Sequence, residues 1–541
     1  MKKQSFLFGS VLLLISATLV KIIGALFKIP LTNMLGGTAM GYFSCAYGIF
    51  LPIYAVLGNG LGAAVATLTA QSVAQNDYNN VRRIRNISLL FFGIPSLFIS
   101  FIIFVFSKPF AENILGSPQS HLAVAAISPC VFFACISSVI RGHHEGWQNM
   151  YPTAVSQVVE ALAKLGLGLF GTFISIKYFS KISQLLNFDP TPQSLAAAFA
   201  IAGVSLSTLF GAISLLAFRS PTHTDTNKRH KEKAPIRRVA GDVFSVMLPI
   251  ALGALVTNLT SLVDLFTINR ILEKCISDNA EYFSDRYDFI KRIPPNDITG
   301  FIFGSFSGLA ITIFNLVPSV TNMLSKSVLS ASSKAFARGD CKALQNTSDK
   351  AISLTSLIAA PCAFGIAAMS QQILTLLYSS RPEEISASHT SLAYLGLSVI
   401  FLCLSSPMFS MLQGTSNAMI PVKIMLAGVG AKFIGNLIFL SIPQTAVFGA
   451  AISTLLCYVL IFALSAISLK AKCGILLNAK QTVFPFVFSG VICAVAAKFS
   501  QKLYIGFLPE KYAICAAIFT AGIVYLAMLF LMKKRRFKFS L

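Results

Sequence analysis

The chain has 541 residues, 55% of them hydrophobic and only 12% charged, with a mean hydropathy of +0.73; ordinary soluble chains carry about a quarter charged residues. A soluble domain is excluded, and so is a β-barrel, because the apolar stretches are continuous rather than alternating. The net charge of +23 does not indicate nucleic acid, since Lys and Arg gather in short loops between apolar stretches, as the positive-inside rule expects.

Apolar windows of about 20 residues predict fourteen membrane-spanning helices. The first six fall near 5–27, 42–71, 88–107, 120–140, 150–175 and 193–218. The opening MKKQSFLFGSVLLLISATLVK is like a signal peptide, but its apolar run is long, lacks an A-x-A-like site and precedes many more spans. It reads as an uncleaved first helix. Arg141, His143 and His144 fall in the loop after the fourth span, where the histidines read as solvated polar residues. Residues 219–240 (RSPTHTDTNKRHKEKAPIRRVA) are basic and proline-containing, which predicts a flexible cytoplasmic linker.

The other eight spans fall near 243–270, 299–329, 351–378, 390–412, 418–441, 445–469, 482–500 and 512–532. Residues 273–297 form a longer external loop of mixed charge, expected to be a partly ordered cap. The eleven Cys lie mostly within apolar spans without CxxC spacing and read as small apolar residues; no disulfide, metal or cofactor is implied. Loops on the side of the termini hold more than twice as many Lys and Arg as those on the other side, which predicts cytoplasmic N- and C-termini.

The fold class expected is an all-α integral membrane protein of 14 transmembrane helices. It comprises two six-helix lobes related by a pseudo-twofold repeat, plus two C-terminal helices. The domains are 1–218 (N-lobe), 219–240 (linker), 241–470 (C-lobe) and 471–541 (helices 13 and 14 with a basic tail). The repeat is visible in the residues. Segment 41–77 aligns without gaps to 304–340, with identities that include Gly41/Gly304, Asn59/Asn322, Val65/Val328 and Asp77/Asp340. Gly146 precedes Lys164 by the same interval by which Gly414 precedes Lys432. Two parallel lobes of this kind would form a cleft suited to alternating access.

Charges inside spans are expensive and usually functional; a cation costs at least ~2.5 kcal/mol there. Arg270, Lys326, Lys423 and Lys498 lie near span ends and read as snorkelling. Lys21, Lys164 and Lys432 lie deeper. Glu160 sits one turn before Lys164, so a structural ion pair between them is an open alternative. Lys432 has only Asn436 a turn away. Against the deep acids Glu160 and Asp264, the lysines leave a net positive interior that favours an anionic ligand such as a phosphate or pyrophosphate headgroup. Candidate substrate-binding residues are therefore Lys21, Gln157, Glu160, Lys164, Lys432 and Asn436. Asp264 is a coupling or counter-ion candidate. No GxxxxGK[ST] motif is present, so coupling to an ion gradient or membrane potential, rather than ATP, is expected.

The stretch 141–164, RGHHEGWQNMYPTAVSQVVEALAK, resembles the RG-x-x-QG-…-M-x-PTA-x-SQ-x-x-E signature of the stage V sporulation protein B-like flippases. These belong to the multidrug/oligosaccharidyl-lipid/polysaccharide exporter superfamily, which includes the lipid II flippases. Glu145 departs from the signature, which has Gln there. Residues 412–436 are similar to a second signature. The resemblance implies a V-shaped transporter, not an enzyme, that moves an undecaprenyl-pyrophosphate-linked saccharide (lipid II or a polysaccharide precursor) outward. It also implies a cationic central cavity and a groove for the lipid tail at the last two helices. The expected partners are that substrate and membrane lipids, with cell-wall or spore-envelope synthesis enzymes as candidates. The alternatives are a cation-coupled multidrug exporter of the same superfamily, which would need an acidic cavity, and a non-transporting scaffold for envelope assembly.

Overall fold

The computed structural model describes residues 6–185, 190–218, 235–415, 417 and 419–534. The basic tail 535–541, most of the expected linker (219–234), and the side chains of Asn59 and Lys326 lie outside the described residues. Every regular element among the described residues is helical. Thirteen segments there are long and apolar enough to cross a membrane. The first, Ile15–Ala74, is 60 residues long and takes in the second expected span and residues 15–27 of the first. The helix α1 (Phe6–Tyr54) turns at Gly36, whose φ of 71° is open to glycine but strained for other residues.

The chain divides into two compact units, Met1–Phe266 and Thr267–Leu541. In the first, α1 is followed by α2 (Gly62–Ala74), α3 (Tyr78–Val105), α4 (His121–Gly146), α5 (Tyr151–Lys177), α6 (Pro192–Leu216) and α7 (Ile236–Thr267). Helix α5 packs against α6 and α1, and α4 against α6, α3 and α2. The N-terminal part of α7 closes this unit: Val239, Val243, Met247 and Ala251 are buried against Leu61, Val65, Ile84 and Val139.

The second unit has α8 (Leu316–Ala337), α9 (Cys341–Ala368), α10 (Pro382–Gly414), α11 (Met419–Phe439), α12 (Gly449–Cys473), α13 (Phe484–Tyr504) and α14 (Glu510–Lys534). Helix α10 is its hub, packed against α8, α9 and α12. Helices α13 and α14 pair with each other and seat on α9 through Met369, Cys493, Ala517 and Tyr525; Tyr525 Oη donates to the Leu357 carbonyl, 3.0 Å away. The stretch 273–297 is ordered in short helices around buried Phe283 and Phe289.

Each unit repeats the same local devices. The turn after α2 puts Asn76 at φ 55° and the turn after α8 puts Gly339 at φ 66°. In both, the next residue is an aspartate whose amide reaches back to a helix carbonyl, Asp77 to Ser72 and Asp340 to Ala335, which is a left-handed helix stop. That aspartate then caps the following helix, Asp77 Oδ1 accepting from Asn80 N at 3.0 Å and Asp340 Oδ1 from Ala343 N at 2.9 Å. Gly146 lies so close to Thr69 that a Cβ would sit 2.4 Å from that residue's own Cβ, and Gly414 stands likewise 2.3 Å from Ser332 Oγ. Thr69 and Ser332 occupy the same position in the alignment of 41–77 with 304–340, so the duplication is structural as well as textual.

Candidate functional site

Helix α5 begins with Tyr151 and Pro152, proline being well placed in a first turn where no amide partner is needed. Lys164 lies about 20 Å further along it at 1.5 Å per residue, the middle of a 27-residue helix that is long enough to span a hydrocarbon core about 30 Å thick. Ser156, Glu160 and Lys164 follow at four-residue steps, and each step rotates about 40° around a helix of 3.6 residues per turn. Ser156 and Glu160 therefore face α4 and α6, while Lys164 has turned toward α1.

On the first face, Arg141 is buried and donates through Nε and Nη2 to Ser156 Oγ at 3.1 and 2.7 Å. Its Nη2 also meets Glu160 Oε2 at 2.7 Å. Ser156 Oγ in turn donates to the Gly211 carbonyl at 2.9 Å, and the Tyr54 hydroxyl is a further partner of the guanidinium. The absence of a side chain at Gly211 makes room for both charges, since a Cβ there would stand 3.1 Å from Glu160 Oε2 and 3.3 Å from Arg141 Nη2.

On the second face, Lys164 Nζ donates to Tyr47 Oη at 3.1 Å. It lies over the Tyr47 ring at 4.5 Å and the Phe27 ring at 5.2 Å from the centroids, a cation–π setting. Lys28, half-buried on α1, is within electrostatic range of Lys164. Among the described residues Lys164 takes part in no ion pair.

The local ion pair left open as an alternative between Glu160 and Lys164 is not the one formed: Glu160 serves Arg141. Arg141 was expected in a loop, yet α4 continues through it to Gly146. His143 and His144, expected to be solvated, are 2% and 1% exposed because that last turn packs against its neighbours. Lys28, one residue past the end of the first expected span, is also helical. Gln157 is half-buried on α5, Lys21 is exposed on α1, and Asp264 is buried near the end of α7. Arg270, Lys423 and Lys498 are exposed, as snorkelling requires.

In the second unit Lys432 and Asn436 are both buried on α11. Asn436 Nδ2 donates to Thr267 Oγ1 at 2.7 Å. Lys432 stands as far past Met419, where α11 starts, as Lys164 stands past Tyr151. Elsewhere in this unit, Pro361, Met369, Cys493, Ala497 and Ile518 line an apolar cavity of about 260 Å3 among α9, α13 and α14.

Residues 6–282 match the family model described as polysaccharide biosynthesis protein, and residues 300–539 match that described as lipid II flippase MurJ. The chain is 23% identical over 538 residues to stage V sporulation protein B of Bacillus subtilis (strain 168), covering 98% of this chain and 96% of that one. It is also 23% identical over 511 residues to lipid II flippase MurJ of the same organism, covering 91% and 88%. Its fold is similar to that of lipid II flippase MurJ in an inward closed conformation, with a TM-score of 0.71 at 13% identity over 98% of this chain and 100% of the other. An inward-facing multidrug resistance MATE family transporter gives 0.63 at 14% identity over 85% and 98%. The resemblance first seen at residues 141–164 extends along the whole chain.

Proposed function

The chain belongs to the polysaccharide biosynthesis protein family, and from that premise we propose that it is a flippase for a lipid-linked saccharide. It moves an undecaprenyl-pyrophosphate-linked sugar, lipid II or a polysaccharide precursor, across the bacterial plasma membrane by alternating access, as a transporter rather than an enzyme. The observation that carries this reading is the state of Lys164. Arg141 takes up Glu160, the carboxylate one turn from Lys164 on α5, which leaves the Lys164 ammonium group to a ligand while Tyr47 and Phe27 hold it in place. A cation at mid-depth is costly unless an anion visits it, and a pyrophosphate is such an anion. Full-length similarity to stage V sporulation protein B and lipid II flippase MurJ supports the same class of cargo.

In this reading Lys164 and Lys432 are equivalent phosphate-binding cations, one in each unit. Lys28 and Lys21 of α1 add positive charge along the route, and Gln157 and Asn436 hydrogen-bond the headgroup. Glu160 acts through Arg141 and positions α5. The apolar cavity among α9, α13 and α14 takes part of the lipid tail. The termini face the cytoplasm, which puts the basic loops on the side where anionic lipid and membrane potential favour them. Asp264 is the coupling or counter-ion residue.

The test is translocation of a pyrophosphate-linked precursor in proteoliposomes holding the full chain. Lys164→Ala and Lys432→Ala each reduce it; unchanged rates in both would sink the assignment. Rescue of a flippase-depleted strain separates transport from a scaffold role, which would need no flipping. The drug-export alternative would be revived by drug efflux that Asp264→Asn abolishes in a protein unable to flip the precursor.

A further inference from the structure

We propose that the outer face between α3 and α4 binds one anionic glycerophospholipid, with an acyl chain in an apolar groove and the phosphate at Arg82 and Arg83. The groove has a volume of about 550 Å3 and is walled by Leu90, Ile94 and Leu97 of α3 and by Phe132 and Ile136 of α4. Gly93 lies along it, and a Cβ built there meets nothing within 4 Å, so the protein leaves this space unfilled. From Asn86 to Leu97 the groove follows α3 for about 16 Å, the reach of a good part of an acyl chain.

Its Asn86 end is cationic. The sequence there is Arg82-Arg83-Ile84-Arg85, on the side that the loop charges assign to the cytoplasm. Arg85 Nε donates to Asn86 Oδ1 at 3.2 Å, which ties one guanidinium to the mouth of the groove. Arg82 is exposed. Arg83 is half-buried, and its Nη1 is buried without a hydrogen-bond partner among the described residues. A buried N–H of a charged group left without an acceptor is costly, and a phosphate oxygen matches the guanidinium fork. Basic clusters beside apolar grooves at the cytoplasmic leaflet are the arrangement that selects anionic lipids. A soluble anion would satisfy Arg83 but leave the groove empty; a zwitterionic lipid would fill the groove but bring its own cation to the arginines. A lipid with a net negative headgroup meets both demands. The site is separate from Lys164 and does not depend on what the protein transports.

The test uses the full chain in detergent. Thermal unfolding is followed with phosphatidylglycerol or phosphatidylcholine of the same acyl chains, with inorganic phosphate as a third probe, and retained lipid is counted by native mass spectrometry. The expected result is one retained phosphatidylglycerol per chain and a rise of several degrees that neither phosphatidylcholine nor inorganic phosphate reproduces. Gly93→Phe, which puts a ring into the unfilled space, should unfold near the wild-type temperature without lipid and lose the retained phosphatidylglycerol. The double variant Arg82→Ala/Arg83→Ala should keep the groove but lose the headgroup preference. Equal retention of the two lipids by the wild type, or equal stabilisation by inorganic phosphate, would overturn the proposal. Undiminished preference in the arginine double variant would overturn it too, and that arm decides even if Gly93→Phe does not fold.

Discussion

Glu160 gives its carboxylate to Arg141 of the preceding helix, 2.7 Å away, and not to Lys164 one turn further along its own helix. Removing one member of a buried pair leaves the other uncompensated, which costs about 3–5 kcal/mol in soluble proteins. Arg141→Ala and Glu160→Ala should each lower the unfolding temperature of the detergent-solubilised protein. The double variant Arg141→Ala/Glu160→Ala should be less destabilised than the two single losses added together. Additive losses in a double-mutant cycle would show that the two groups do not act as a pair.

Lys164 makes a different prediction because its partners are neutral. Tyr47→Phe removes the hydroxyl acceptor of the ammonium but keeps the ring beneath it, a change of about 1 kcal/mol. It should slow precursor translocation by about fivefold. Lys164→Ala removes the charge itself and should cost tenfold or more, equivalent to about 1.4 kcal/mol in the barrier. Lys164→Arg, longer and planar, should recover only part of the rate because the Tyr47 and Phe27 rings are spaced for an ammonium. Translocation in proteoliposomes ranks the three, and a Tyr47→Phe defect as deep as that of Lys164→Ala would reverse the assigned roles.

The spans were legible because a hydropathy window sees continuous apolar sequence, and Lys164 was legible as a charge inside one. The same windows hid Arg141 and Lys28, since they end one residue short of each, at 140 and at 27. Helix α4 runs on because tertiary partners, Glu160 and Ser156, satisfy the Arg141 guanidinium. His143 and His144 were misread for the same reason, since their burial depends on packing around the last turn of α4. Whether Lys164 pairs with Glu160 was also beyond sequence, because i,i+4 spacing permits the contact but the rotation of α5 and the neighbouring guanidinium decide it. The duplication was legible from equal Gly-to-Lys intervals. Its physical meaning, a glycine seated on Thr69 or Ser332, needed the structure.

Those two glycines should respond differently to repair. Gly414→Ala brings a methyl 2.3 Å from Ser332 Oγ, the tip of a side chain. Ser332→Ala should relieve a good part of an overpacking penalty of about 1–3 kcal/mol. Gly146→Ala instead meets Thr69 at its Cβ, 2.4 Å away, and the Ala66 carbonyl at 2.8 Å. Thr69→Ala keeps that Cβ, so it should rescue little. Unfolding temperatures of the two single and two double variants measure this, and equal rescue at both positions would contradict the geometry.

The cavity among α9, α13 and α14 yields a prediction that separates tail from headgroup. Gly365 lines it, and a Cβ there meets nothing within 4 Å, so Gly365→Leu fills space without displacing backbone and also favours the helix over glycine. Its unfolding temperature should equal or exceed that of the wild type. If the cavity holds part of the lipid tail, Gly365→Leu should slow translocation of a precursor with a full-length tail and leave that of a short-tailed analogue near the wild-type rate. Lys164→Ala should slow both, since each carries the same pyrophosphate. Equal slowing of the two substrates by Gly365→Leu would remove the tail from this cavity while leaving the headgroup assignment standing.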